Sequence, residues 1–259
     1  MIKTVDHPSL PLSITFNESD HTYRDNTGVR YTSVTTFVKA FFPPFDDIAA
    51  ASRIAARTGR LEMDIIAEWR QKATLAGDYG THVHNYAEAL VNGQTPPHPV
   101  SDKEKRAFAI IDRAVSALSA QYEFLAAEQV VFDPLFEIAG MIDLVARNRV
   151  SGALAVLDWK TCEDITNDSY GRWALPPIKY IPDSKQAHYQ LQLSTYAWML
   201  TDPEYSGYPS AGEPVEIALI HIPHIGDSPV WRPLAYDGRA VAAMVESRWN
   251  AEKLTKTNQ

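Results

Sequence analysis

A single cysteine, Cys162, stands in 259 residues, so no internal disulfide can be built and the chain fits a reducing cytoplasm. No run of about eighteen apolar residues occurs, which excludes a membrane-spanning helix of ordinary length. The N-terminal stretch MIKTVDHPSLPLS lacks the apolar centre of a secretory signal. Positive charge is also short: 24 Lys and Arg against 32 Asp and Glu leave a net −8. A protein that coats nucleic acid needs clustered cations to release counterions, so that class is disfavoured, although the distribution of charge matters more than its sum. HExxH, CxxC, a Walker-type glycine loop and a nucleophile elbow are all missing, which leaves the corresponding metal, nucleotide and acyl-transfer chemistries without a motif. No internal repeat or low-complexity tract is visible.

What is present is an ordinary globular composition, 45% hydrophobic and 22% charged. The length suffices for one substantial core, or a core with an attached helical part. Residues 13–31 read as a small hairpin unit, with turns at Asn17-Glu18-Ser19-Asp20 and Asp25-Asn26-Thr27-Gly28. Apolar spacing predicts helices over 33–41, 46–58, 61–76, 80–92 and 102–121, the last capped by Ser101. Strands follow at 125–132, 136–147 and 153–161, then a Pro- and aromatic-rich loop over 163–183 and a helix over 184–200. Strands at 214–222 and 229–235 and a helix at 238–254 complete the chain.

The densest chemistry lies in Gly140-Met141-Ile142-Asp143 and Leu157-Asp158-Trp159-Lys160-Thr161. The two segments read as a hairpin joined by the polar turn Asn148-Arg149-Val150-Ser151-Gly152. Asp158 and Lys160 share a face because side chains alternate along a strand. A turn symmetric about Val150 and Ser151 places Asp143 directly across from Asp158. Like charges so placed repel, and a cation between them removes that cost. A bulge of one residue would instead send Asp143 to the other face. Upstream, Gly80, His84 and Glu88 share one face of a helix that opens at Gly80, with His84 free to act as a neutral ligand. Downstream, Gln192 and Tyr196 are neighbours four residues apart. Arg53, Arg57 and Arg60 fall on one stripe around the 46–58 helix, a candidate for phosphate contact.

In chain order these pieces are G-T-x-x-H, a strand with Glu128, G-x-x-D, D-x-K and Q-x-x-x-Y. That set resembles the RecB-like branch of the PD-(D/E)xK nuclease superfamily. His21-Thr22-Tyr23, Tyr31-Thr32-Ser33-Val34-Thr35-Thr36 and Glu68-Trp69-Arg70 are similar to the phage and mitochondrial genome maintenance exonuclease group within it. The resemblance runs from about His21 to Tyr196. It implies an α/β fold: a central mixed β-sheet flanked by helices, with an N-terminal helical elaboration. It also implies a single nuclease domain over 1–259, with 13–121 carrying the His motif and 122–259 the sheet core.

By the same resemblance, Asp143, Asp158, His84 and the backbone carbonyl of Trp159 hold Mg²⁺ or Mn²⁺, with Glu128 as a less well-fixed acidic ligand. Lys160 orients or deprotonates the attacking water. Gln192 and Tyr196 position DNA or the active-site strands. Some relatives hold an iron–sulfur cluster on four cysteines, and one cysteine cannot build it. The implied reaction is metal-assisted phosphodiester hydrolysis from a free, single-stranded DNA end. The implied setting is phage-type replication, recombination or repair in the cytoplasm of a bacterial host, with a recombination or replication protein as partner. Trp69, Tyr79, Tyr86, Trp173 and Tyr180 are candidate stacking surfaces for unpaired bases, foremost the two in the Pro-rich loop. A non-catalytic DNA-end-binding protein on the same fold and a structure-specific or restriction-type endonuclease stand as alternatives.

Overall fold

The computed structural model describes residues 2–257, with 251–257 as helix backbone only, so Met1 and 258–259 of the expected unit lie outside the described residues. The described strands form one mixed sheet flanked by helices, as the resemblance implies. Its N-terminal part is a meander of β1 (Ile2–Asp6), β2 (Ser13–Asn17), β3 (Thr22–Asp25) and β4 (Arg30–Ser33). Its centre is β5 (Tyr122–Asp133), β6 (Ile138–Asn148) and β7 (Leu154–Lys160), and it continues through β8 (Val215–His221) to β9 (Val230–Leu234).

Three neighbours share the two edges of β6. Strand β5 runs antiparallel along one edge from end to end. The other edge carries β4, parallel, at Ile138 and Ala139, and β7, antiparallel, from Leu144 to Arg147. Between them, residues 140–143 have no ladder partner on that edge among the described residues. The sheet is therefore split at the segment that carries Gly140 and Asp143. The β6–β7 register pairs Leu144 with Leu157 and Arg147 with Leu154, the register set by a turn centred on Val150 and Ser151.

Helices α1 (Val34–Lys39), α5 (Lys185–Thr201) and α6 (Gly238–Thr257) cover one face, with Leu154, Val156, Ile217 and Leu219 beneath them. Helices α3 (Glu62–Val91) and α4 (Asp102–Gln121) cover the other, against Ala155, Leu157, Trp159, Ala218 and Ile220. The odd and even positions of β7 thus serve opposite layers, which explains why this strand has almost no polar residue before Asp158. Ser33, Asp46, Ser101 and Ser184 cap α1, α2 (Asp47–Thr58), α4 and α5, each accepting an N–H from the first turn.

The structure corrects several expectations. Strand β1 was not foreseen; its exposed, alternating residues offer little apolar signal. The helices expected at 61–76 and 80–92 are one helix of 30 residues, so Gly80 does not open a helix and His84 is not in an N-terminal turn. Neither Gly77 nor Gly80 has a positive φ. A glycine costs a helix only about 1 kcal/mol when packing holds it. Arg60 does not continue the Arg53–Arg57 stripe: Gly59, at φ 71°, ends α2, and Arg60 pairs with Glu68 at 2.7 Å.

Asp133 closes β5, where its carboxylate accepts the N–H groups of Leu135 (2.8 Å) and Phe136 (3.1 Å). Burial pushes its pKa up to about 6, against those two hydrogen bonds. The folded protein therefore holds this proton more tightly than the unfolded chain does. Stability is fully present below about pH 4 and is lost as pH rises towards 6, by roughly 1–3 kcal/mol. Asp133→Asn keeps an acceptor without the charge. Its urea midpoint is expected above the parent's at pH 8 and not at pH 4; equal midpoints at both values would contradict the assignment.

Candidate active site

The split in the sheet brings groups from both helical layers together. Asp143 stands opposite Glu128 in the β5–β6 ladder, between the pairs Ala127–Leu144 and Gln129–Ile142. Glu128 adopts a left-handed backbone, φ 50°, which is uncommon for a residue with a side chain. Alternation breaks here on β6: Ile142 and Val145 both pack on the α5 side, while Leu144 packs on the α3 side. The strand thus turns at Asp143, and the carboxylate lies in the split instead of in either core.

From α3, His84 reaches Asp143, Nδ1 to Oδ2 at 3.3 Å. The same oxygen accepts the backbone N–H of Trp159 at 2.8 Å, so a side chain replaces the ladder bond that the splayed strands omit. His84, Glu128 and Asp143 each offer one ligand atom within 4.8 Å of the others. One imidazole and two carboxylates suit a hard divalent cation. Asp158 and Lys160 stand beside this cluster and are ion-paired with each other. The Lys160 ammonium lies over the Tyr189 ring, 4.8 Å from its centre.

The carboxylates of this cluster act on one another strongly. Burial, then the Asp143 carboxylate, push Glu128 up to about 8. Burial, then Asp143, also push Asp158 up to about 6, with Lys160 opposing. For Asp143, burial acts upward but His84 and Lys160 outweigh it, and its carboxyl is held below the usual range. Burial would lower His84; Asp143 overcomes it and raises the imidazole to about 9. Lys160 is likewise opposed by burial and raised by Asp158 and Asp143. Three carboxylates thus share two side-chain cations, Asp143 stays ionised, and Glu128 keeps its proton at neutral pH. A divalent ion would displace those protons and let every carboxylate ionise.

The sequence-derived residues fall into three groups. His84, Asp143, Asp158 and Lys160 converge, and Glu128 joins them more closely than its place in the sequence suggested. Asp158 lies outside the three-residue ligand cluster and is engaged with Lys160. The Trp159 indole is buried in the α3–α4 layer, 2% exposed, which leaves only its backbone to face the site. Tyr196 is also buried, 4% exposed, against Gly140, and receives a hydrogen bond from Gln192 Nε2 at 3.3 Å. Tyr196 thus packs against the strand that carries Asp143. Gln192 lines the open cavity next to Lys160.

Arg53 and Arg57 are exposed on α2, apart from these groups. Trp173, 53% exposed, bridges Pro182 and does not line the cavity at Lys160; nor does Tyr180. Tyr86 stacks on Phe108 at 3.8 Å and Tyr79 lies under Lys103, so both serve the fold.

Four supporting residues escaped the sequence reading. The Lys3 ammonium donates to the Glu128 carbonyl, freed by that residue's left-handed turn. His221 and His224 bond through Nε2 to the carbonyls of Cys162 and Thr161, both at 2.7 Å, and anchor the chain just beyond Lys160. Tyr189 had a weak signal, one helical turn before Gln192.

The PD-(D/E)XK nuclease superfamily profile matches residues 119–257, more than half of the chain. That span takes in Glu128, Asp143, Asp158, Lys160, Gln192 and Tyr196 and leaves out α3 with His84. No curated protein matches the chain.

Proposed function

The chain belongs to the PD-(D/E)XK nuclease superfamily, and on that premise we propose that it is a Mg²⁺- or Mn²⁺-dependent exonuclease acting on free single-stranded DNA ends. The observation that carries the nuclease reading is the convergence of His84, Glu128 and Asp143 beside the Asp158–Lys160 pair. The exonuclease reading is supported by the motifs shared with the genome maintenance group, and its setting by the same likeness: phage-type replication, recombination or repair with a protein partner. Among the described residues no helix is long and apolar enough to cross a membrane.

His84, Glu128 and Asp143 would hold the ion, with Asp158 and the Trp159 carbonyl completing its surroundings. A bound divalent cation supplies a polarised water and neutralises charge on the phosphoryl oxygens. Lys160, kept protonated by its carboxylate neighbours, offers a hydrogen bond and a positive charge to the phosphate. Asp158 fixes the ammonium in place. Trp159 fixes Asp143 through its N–H, and Tyr196 closes the site from behind Gly140.

The test is degradation of an end-labelled linear single strand beside a closed circular one, with Mg²⁺, Mn²⁺ or EDTA. Loss of the linear strand alone, stopped by EDTA, is expected. Cutting of the circle would make the protein an endonuclease. Binding of DNA without cleavage under either metal would overturn the catalytic reading in favour of an end-binding partner.

A further inference from the structure

A cavity of about 840 Å³ opens beside Lys160, bounded by α1, the loop after β7 and the first turns of α5. That is within the roughly 300–1,000 Å³ usual for small-ligand pockets. Lys160 and Gln192 form its inner wall, whereas His84, Glu128 and Asp143 are not on it. It therefore meets the candidate site at Lys160 without including the three-residue ligand cluster.

Its walls are fixed. The His188 ring stacks on Phe42, with centroids 3.9 Å apart, and bonds to Asp183 at 2.8 Å. Arg172 pairs with the same carboxylate at 3.3 Å, so the charge of Asp183 is answered within the protein. The rim is different. Tyr170 is 83% exposed, and its backbone is left-handed, φ 50°. Its N–H is held by Asp168 Oδ1 at 2.8 Å, which fixes where the residue stands. A strained turn that offers a large aromatic ring to solvent serves no core. Lys39, at the end of α1, makes no ion pair among the described residues, and Lys185 donates only to the Asp164 backbone carbonyl at 3.3 Å. Both ammonium groups remain available to an anion.

We propose that this cavity seats one unpaired nucleotide next to the scissile phosphodiester, with its base on the Tyr170 ring and its phosphates at Lys39 and Lys185. The assignment rests on the nuclease reading and deepens it. A duplex keeps its base faces stacked on one another, so only an unpaired or terminal base can offer one to Tyr170. Preference for single strands then comes from this rim and not from the metal cluster.

Binding of a labelled oligothymidylate to the full chain in EDTA, by fluorescence anisotropy, tests the proposal against an abasic strand of equal length. Tyr170→Ala is expected to weaken binding of the normal strand roughly 5- to 100-fold, the scale of one lost base–aromatic stack. It should leave the abasic strand within twofold, and Tyr170→Trp should restore the parent's preference. Lys39→Ala with Lys185→Ala should weaken both strands alike and reduce the slope of log affinity against log salt by about 1.4 for two single-strand phosphates. Tyr170→Ala binding both strands like the parent would overturn the seat while cleavage by the parent upheld the nuclease reading. A parent that neither binds nor cuts DNA would remove both.

Discussion

Lys160→Met is expected to lower the rate of DNA cleavage about a hundred- to a thousandfold, the scale seen when a positioned donor is taken from a transition state. The side chain is 16% exposed, paired with Asp158 and held over Tyr189, which fixes its charge in place. Removing it leaves the Asp158 carboxylate, 4% exposed, without its partner, which costs stability of about 3–5 kcal/mol where a buried pair is broken. The single variant is therefore expected to melt earlier as well as to lose activity. Asp158→Asn with Lys160→Met removes both charges and should regain most of the melting temperature while staying inactive. Activity of the single variant within tenfold of the parent would show that Lys160 takes no part in the reaction.

Gly140→Ala is the second large effect. A Cβ there would meet Tyr196 Cε1 at 2.4 Å, with Tyr196 Oη and Val34 Cγ2 each at 3.1 Å. Real Cβ atoms do not approach ring carbons so closely, and the ring is enclosed by α5 and the sheet. Overpacking of this kind costs about 1–3 kcal/mol. For a chain of this length that lowers the melting temperature by roughly 2–12 °C. The strain should fall where its partner is cut back: Gly140→Ala with Tyr196→Leu is expected to be more stable than the two single losses added together. A Gly140→Ala protein that melts with the parent would contradict the close approach. The result would give the first residue of G-x-x-D a physical reason: only glycine lets α5 lie against the strand that carries Asp143.

Convergence of His84, Glu128 and Asp143 depends on groups that no local pattern connects. Glu128 faces Asp143 because the β5–β6 ladder keeps one register from Ala126 to Asp133, through the left-handed turn at Glu128. That register in turn depends on a shift near Leu125, which nothing in the sequence marks. Lys3, 125 positions before Glu128, supports it only because β1 folds back along the meander. His221 and His224 reach the end of β7 only because β8 runs parallel beside it.

The sequence by itself determined the β6–β7 hairpin and, for a symmetric turn, its register, since the polar turn and the alternation of Asp158 and Lys160 are local properties of a strand. It also determined the helix carrying Gln192 and Tyr196. The tertiary structure alone decided that α3 runs unbroken through Gly77 and Gly80, because packing on α2 and α4 outweighs a glycine's cost of about 1 kcal/mol. It decided that Arg60 turns to Glu68, that Tyr196 is buried, and that Glu128 and not Asp158 joins His84 and Asp143. The physical reason is one feature: β4 and β7 share an edge of β6 and splay apart, and which side chains meet in the resulting gap depends on contacts between segments far apart in the chain.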